Sequence, residues 1–207
     1  MKDDQPEKIW SRLSKLYEEK FFPLSLYDES YNFLIERFKD KSPTILDLGC
    51  GPGIISHYLS IRIPDSKVYG IDYSDEMIEI ARKRMPGASF KCMNVLEWKG
   101  LRNSFNLILI GFLFPYLNKE QIRDLLSKCY LSLEEGGIIY LSFVPGKETD
   151  SGPKTGSTGD TLYFNYFETD YIIHNSDILG FKLLKQFTLD YHKENTIEKH
   201  CVLIFKK

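Results

Sequence analysis

The residues whose types and spacing could most readily do chemistry lie in one run, Asp47-Leu48-Gly49-Cys50-Gly51-Pro52-Gly53. Alternating glycines let a backbone turn sharply, take left-handed conformations and come close to a ligand. The run follows an apolar pentapeptide, TILDL (44–48), and precedes an amphipathic stretch, 54–61. It therefore reads as a strand-to-helix turn, and the N-terminus of such a helix presents unpaired N–H groups. A dinucleotide-binding turn has the spacing G-x-G-x-x-G. Here the third glycine comes one position early, at Gly53, and Ile54 takes the sixth place. Asp47 sits two residues before the first glycine. By itself it is as readily a cap of the turn as a ligand-facing group. Asp72, at the end of KVYGID (67–72), and Asn94, at the end of ASFKCMN (88–94), are the polar residues closing the next two apolar runs. Asp72 alone reads more readily as a cap for a helix starting at Ser74.

The elements that must position these residues alternate. Residues 5–40 form two predicted helices, one with Ile9, Leu13, Leu16 and Tyr17 and the other with Tyr27, Tyr31, Leu34, Ile35 and Phe38 at helical spacing, with Pro23 as the break. Strands are predicted at 44–48, 67–72, 88–94, 105–111 and 137–144, with helices at 54–61, 74–83 and 119–132 between them. Such alternation implies parallel pairing in a doubly wound α/β sheet. FNLILIG (105–111) is apolar enough for the sheet centre. Residues 146–160 read as a flexible polar loop, and no P-loop spacing occurs in them. A helix is predicted over 170–179, with Gly180 at its C′ position. Strand-like runs at 181–192 and 199–207, joined by KENTIE, predict an antiparallel edge hairpin. The chain is read as a single domain over 1–207, with an N-terminal helical part (1–42), a core (43–145) and a C-terminal loop, helix and hairpin (146–207).

Composition limits the partners. With 27 Lys+Arg against 29 Asp+Glu, the net charge of -2 gives no electrostatic basis for nucleic-acid binding. The basic run Arg82-Lys83-Arg84 reads as a solvated helix face. Cys50, Cys92, Cys129 and Cys201 include no C-x-x-C pair, so no zinc site or redox dithiol is read, and no metal is expected. There is no apolar run of about 18 residues for a membrane span and no signal-peptide pattern, so the expected compartment is the cytoplasm.

The D-x-G-x-G-x-G run, the terminal Asp72 and the strand-terminal Asn94 together resemble the Rossmann-like, class I S-adenosylmethionine-dependent methyltransferases. The resemblance covers about residues 44–145 in order and spacing. It implies a mostly parallel seven-stranded sheet with an antiparallel C-terminal edge hairpin, and two N-terminal helices acting as a lid. It implies S-adenosyl-L-methionine as cofactor and S-adenosyl-L-homocysteine as product. It assigns the cofactor to Tyr17, Asp47, Gly49, Cys50, Gly51, Gly53, Asp72, Tyr73, Met77, Asn94, Val95, Gly111, Phe112 and Tyr116. Asp72 would accept from both ribose hydroxyls, since a carboxylate offers two oxygens to a vicinal diol. Tyr73 and Met77 would flank the adenine. Asn94, where the family usually has Asp, would accept from the adenine amino group, and Val95 would donate its N–H to the ring.

No catalytic residue is assigned. After the fourth strand, where substrate meets cofactor in this family, Gly111-Phe112-Leu113-Phe114-Pro115-Tyr116 holds one protic side chain, Tyr116. It lacks [DN]-P-P-[YF], the signature of methyltransferases acting on exocyclic or amide nitrogens. His57 reads as a surface residue, while His174 and His192 could reach a substrate cleft. Tyr163, Phe164, Tyr166, Phe167 and Tyr171 crowd one segment, either as an aromatic wall for a small planar or apolar acceptor or as a satellite core. The expected partner is a small-molecule acceptor methylated on O, N or C. The alternatives are a non-catalytic cofactor-binding regulatory module and an NAD-dependent oxidoreductase on a similar sheet.

Overall fold

A computed structural model describes residues 6–21, 25–156, 158–193 and 196–207. Pro23 and residues 194–195 of the expected KENTIE connection lie outside the described residues. The chain divides into two compact units, Met1–Trp98 and Lys99–Lys207.

The first unit contains α1 (Pro6–Phe21), α2 (Asp28–Phe38), β1 (Thr44–Leu48), α3 (Ile54–Ser60), β2 (Lys67–Asp72), α4 (Asp75–Arg84) and β3 (Ser89–Cys92). β1 pairs with β2, and β2 with β3, all parallel. Ile45, Leu46, Leu48, Val68 and Ile71 are buried, as expected for strands covered on both faces. α4 is specified at both ends. The Ser74 hydroxyl accepts from the Met77 N–H at 3.3 Å. Asp75 and Glu76 occupy the first turn and Arg82, Lys83 and Arg84 the last, complementing the helix dipole. The basic run is structural. Arg82 donates to the Phe90 carbonyl, Arg84 donates to the Pro52 carbonyl at 2.8 Å, and Lys83 lies 4.0 Å from Glu79. Both expected N-terminal helices are present, and the Ser11 hydroxyl on α1 lies 3.0 Å from that of Ser74.

The second unit contains β4 (Phe105–Gly111), α5 (Lys119–Ser132), β5 (Leu133–Phe143), β6 (Gly152–Thr155), β7 (Thr161–Phe164), α6 (Thr169–Ile178), β8 (Lys182–Lys193) and β9 (Thr196–Lys206). β4 and β5 are parallel, whereas β9 runs antiparallel to β5 and to β8. The main sheet has the order β3-β2-β1-β4-β5-β9-β8, the mostly parallel seven-stranded arrangement with an antiparallel edge that was expected. α5 opens with a capping box, in which Asn118 accepts from the Gln121 N–H and Gln121 accepts from the Asn118 N–H.

Two expectations need correction. Residues 146–160 are not a featureless loop. They hold a 3-10 turn (Glu148–Asp150) and β6, which pairs antiparallel with β7 from Gly152↔Phe164 to Thr155↔Thr161. A 2.8 Å bond between the Thr155 and Thr161 hydroxyls adds a cross-strand link. The third strand also stops early, at Cys92, because Asn94 turns away to cap a 3-10 turn (Val95–Glu97).

Asp47 closes the joint between β1 and α3. Its side chain is 2% exposed and accepts a hydrogen bond from the Ser56 hydroxyl on the first turn of α3. Burial raises its pKa from 3.8 to about 7, against the pull of the Ser56 bond and with help from the Asp72 charge. The folded chain therefore holds this proton more tightly than the unfolded chain does. The contribution to stability is full below about pH 4, declines as pH rises through the folded pKa and levels off above it. Asp47→Asn, which cannot ionise, should gain stability relative to wild type over that window, by roughly a few kcal/mol. Urea denaturation of both proteins from about pH 4 to 8 checks this. A difference that does not change with pH would show that Asp47 titrates alike in the folded and unfolded chains.

Candidate active site

In the first unit the glycine turn is built from three left-handed residues, Gly49 (φ 71), Gly51 (φ 52) and Gly53 (φ 76), a conformation costly for any residue with a Cβ. The end of β2 holds it in place. The N–H groups of Gly49 and Cys50 both donate to the Ile71 carbonyl, at 2.8 and 3.0 Å. The Gly51 N–H donates to Asp72 Oδ2 at 2.9 Å, and the Ser74 N–H donates to Asp72 Oδ1 at 3.0 Å. Asp72 thus joins the glycine turn to the start of α4. Its carboxyl is 8% exposed. Burial raises its pKa, while the N–H groups of Ser74, Gly51 and Tyr73 pull it down. Each oxygen receives one of these bonds, and a carboxylate oxygen can accept two. The Tyr73 N–H is a third donor to this carboxyl, which leaves room for a further donor among its four lone-pair sites.

The three glycines have different tasks. A Cβ at Gly51 would meet no atom within 4 Å, so the backbone there borders open space. A Cβ at Gly53 would come within 2.7 Å of Met85 Cε and 3.4 Å of Ala81 Cβ, so Gly53 serves the packing of the turn on α4. Gly70 is needed for a related reason: its Cβ would strike the Phe90 ring at 2.4 Å and approach Cys50 Sγ at 3.0 Å. Cys50 is buried, and burial pushes its thiol well above the ordinary range. Its side chain fills space behind the turn.

Of the other expected residues, Tyr73 is half-buried and follows Asp72 directly. Met77 and Val95 are buried, at 3% and 6% exposure, so their side chains pack inward. Asn94 is exposed, but its amide oxygen accepts from the Leu96 N–H at 3.0 Å, a turn-capping bond that sequence reading did not foresee. Tyr17 lies in α1, and its side chain is outside the described residues.

In the second unit, Gly111 ends β4, and Phe112 follows with φ 54. A left-handed aromatic residue at the carboxyl end of a strand is a strained feature of the kind that gathers at functional sites. The Phe112 N–H donates to the Ser142 carbonyl at 2.8 Å, and its ring meets His200 edge-on at 4.9 Å. His200 in turn stacks on Tyr191 at 4.9 Å, with Nε2 2.8 Å from Glu198 Oε1. His200 was missed by sequence reading, although its place at the head of the apolar run Cys201–Phe205 was a usable signal. His174 and His192 are exposed, and His57 is half-buried on α3.

Tyr116 closes a 3-10 turn, Phe114–Tyr116, and its ring meets Phe164 edge-on at 6.0 Å. The aromatic segment divides its roles. Phe167 is buried and stacks with Tyr171 at 5.9 Å, as a satellite core would, whereas Tyr163 is 60% exposed. Beside them a cleft of about 350 Å³ is lined by residues including Asn118, Lys119, Arg123, Glu148, Asn165 and Tyr166.

The family model described as "Methyltransferase domain" matches residues 45–137. A trans-aconitate 2-methyltransferase of Paracidovorax citrulli is 43% identical over 108 residues, 52% of this chain and 41% of that protein. A malonyl-[acyl-carrier protein] O-methyltransferase of Bacillus cereus is 31% identical over 114 residues, 54% of this chain and 41% of that protein. The chain thus matches about two fifths of the length of these relatives. Among solved structures, a SAM-dependent methyltransferase from Methanosarcina mazei superposes with a TM-score of 0.72 at 19% identity, covering 84% of this chain and 96% of that one. An N-methyltransferase from Bradyrhizobium japonicum in complex with S-adenosyl-L-homocysteine gives a TM-score of 0.69 at 14% identity, covering 99% of each chain. The segment 45–137, which holds the glycine turn and the strand-terminal Asp72, is thus similar to methyltransferase domains, and the chain shares the fold of solved S-adenosylmethionine-dependent methyltransferases.

Proposed function

We propose that this protein transfers the methyl group of S-adenosylmethionine to a small-molecule acceptor. The observation that carries the reading is the Asp72 carboxylate. It is buried and held by the backbone N–H groups of Gly51, Ser74 and Tyr73, keeps room for a further donor, and lies beside a glycine whose missing Cβ leaves open space. That arrangement fits a vicinal diol set against a closely approached backbone. The bound cofactor supplies an electrophilic methyl group on a sulfonium. The chain's residues supply placement: Asp72 would orient the ribose, Gly49 and Gly51 would let the backbone approach, and Tyr73 and the 94–95 turn would border the adenine. Asp47 and Gly53 would act indirectly, by fixing the turn. Holding reactants in line can contribute about 7–11 kcal/mol without any catalytic side chain. A small acceptor is supported by the relative named for trans-aconitate and by the near-neutral charge of the chain.

Calorimetric titration with S-adenosylhomocysteine tests this reading, with NADH as the control. Wild-type protein should bind the former at micromolar strength and the latter far more weakly. Asp72→Ala should weaken binding by about 1.5–3 kcal/mol, the scale of hydrogen bonds to a charged group. The same substitution should lower the melting temperature, because it strands the Gly51 and Ser74 N–H groups. Unchanged affinity would reduce Asp72 to a brace for the turn, and tighter NADH binding would overturn the cofactor assignment.

The glycines should separate by readout. Gly51→Ala carries the backbone cost of a left-handed alanine, about 1 kcal/mol, and should also weaken S-adenosylhomocysteine binding. Gly53→Ala adds the clash with Met85 and should lose more stability than Gly51→Ala. Equal melting temperatures for the two variants would contradict this division.

A further inference from the structure

In the second unit a strained aromatic residue and an unsatisfied hydroxyl lie side by side. Phe112 follows β4 with φ 54, a conformation that a bulky side chain takes only under constraint. Its N–H donates to the Ser142 carbonyl at 2.8 Å, and its ring meets His200 edge-on at 4.9 Å. Ser142 is 1% exposed, and its Oγ has no hydrogen-bond partner among the described residues. A buried hydroxyl in that state has given up its hydration for nothing in return, and such groups are few in folded proteins.

The register puts the ring and the hydroxyl on one face of the sheet. Ser142 on β5 pairs directly with Gly111 on β4 and with Val202 on β9, and paired residues project to the same side. Alternate residues of a strand share a face, so His200 lies on the side of Val202 and therefore of Ser142. β5 runs between β4 and β9. A ring that starts just beyond β4 and touches His200 on β9 thus crosses β5 over the face to which Ser142 points. Gly111 adds no side chain there. Behind the ring, His200 stacks on Tyr191 at 4.9 Å, and its Nε2 lies 2.8 Å from Glu198 Oε1. Phe112 is half-buried, whereas Ser142, His200 and Tyr191 are buried.

We propose that the place of the Phe112 ring is a binding slot for a small aromatic molecule bearing a hydroxyl. The ligand displaces the ring, stands edge-on to His200 and hydrogen-bonds to Ser142 Oγ. Phe112 then leaves its left-handed backbone, and the hydroxyl gains the partner that the closed chain denies it. Apolar walls with one placed polar group are the usual makeup of such a slot. Glu198 beside His200 disfavours an anion, and burial disfavours any charge, which leaves a neutral substituent. Serine can both donate to a hydroxyl and accept from it. Every residue of the slot belongs to the second unit, and occupancy needs no cofactor, so the slot goes beyond the methyl-transfer reading.

Titration of the full chain with phenol, and with toluene as the match without a hydroxyl, tests this in ¹H–¹⁵N spectra. Phenol should cause saturable shifts at the amides of Phe112, Ser142 and His200. It should bind about tenfold more tightly than toluene, the scale of one buried hydrogen bond. Ser142→Ala should erase that preference, and it should melt no lower than wild type, because it removes an unsatisfied group. Phe112→Gly, which suits a left-handed backbone and vacates the slot, should bind phenol several-fold more tightly than wild type. Wild type without saturable phenol shifts at those amides would overturn the proposal, even if Phe112→Gly bound phenol, since that would be an engineered cavity. Equal affinity for phenol and toluene, or a lower melting temperature for Ser142→Ala, would overturn it too. S-adenosylhomocysteine is absent throughout, so failure here leaves the cofactor assignment standing.

Discussion

The bonds from Gly51 and Ser74 to Asp72 are the constraint on which the first unit's site depends. A turn with three left-handed glycines has little conformational preference of its own, because glycine is nearly as free on either side of φ zero. Its shape is imposed from outside. Two of its N–H groups are tied to the Ile71 carbonyl and a third to Asp72, so the last two residues of β2 dictate the path of the chain between β1 and α3. The same carboxylate receives the Ser74 N–H, which starts α4. One side chain therefore sets the turn, the helix that follows β2, and the direction its own free lone pairs face.

A second buried acid supports this arrangement without facing the same space. Asp47 holds α3 through Ser56, and its carboxyl is pushed up to about 7 by burial first and by the Asp72 charge as a lesser cause. Two carboxylates near one turn would repel if both were ionised, and the protein meets this by letting the drier one keep its proton near neutrality. Asp72 is also pushed upward by burial, against the pull of the Ser74, Gly51 and Tyr73 N–H groups. Asp47 is thereby suited to structure and Asp72 to accepting hydrogen bonds from a ligand.

Much of the frame was legible in the sequence. β1, β2 and β4 fall where their apolar runs end in turn residues, and α5 is announced by Asn118 and Gln121. What escaped depends on tertiary neighbours. The composition of 146–160 signals a loop, yet Thr155 and Thr161 meet across a short hairpin. The glycines look alike in sequence, and only Met85 distinguishes Gly53 from Gly51. Asn94 has the residue type for an adenine contact, but Leu96 takes its oxygen as a cap. The left-handed backbone of Phe112 and its contact with His200 cannot be read from an apolar hexapeptide. The first unit's site was therefore visible as a motif, while the second unit's cleft came into view only with the fold.

The central claim is that the glycine turn and Asp72 together receive the cofactor. The most direct test is a ¹H–¹⁵N spectrum of the full chain titrated with S-adenosylhomocysteine. Saturable shifts are expected, largest at the amides of Gly49, Gly51, Tyr73 and Ser74, with α6 and β8 little changed. A saturable titration whose shifts left those four amides in place would contradict it.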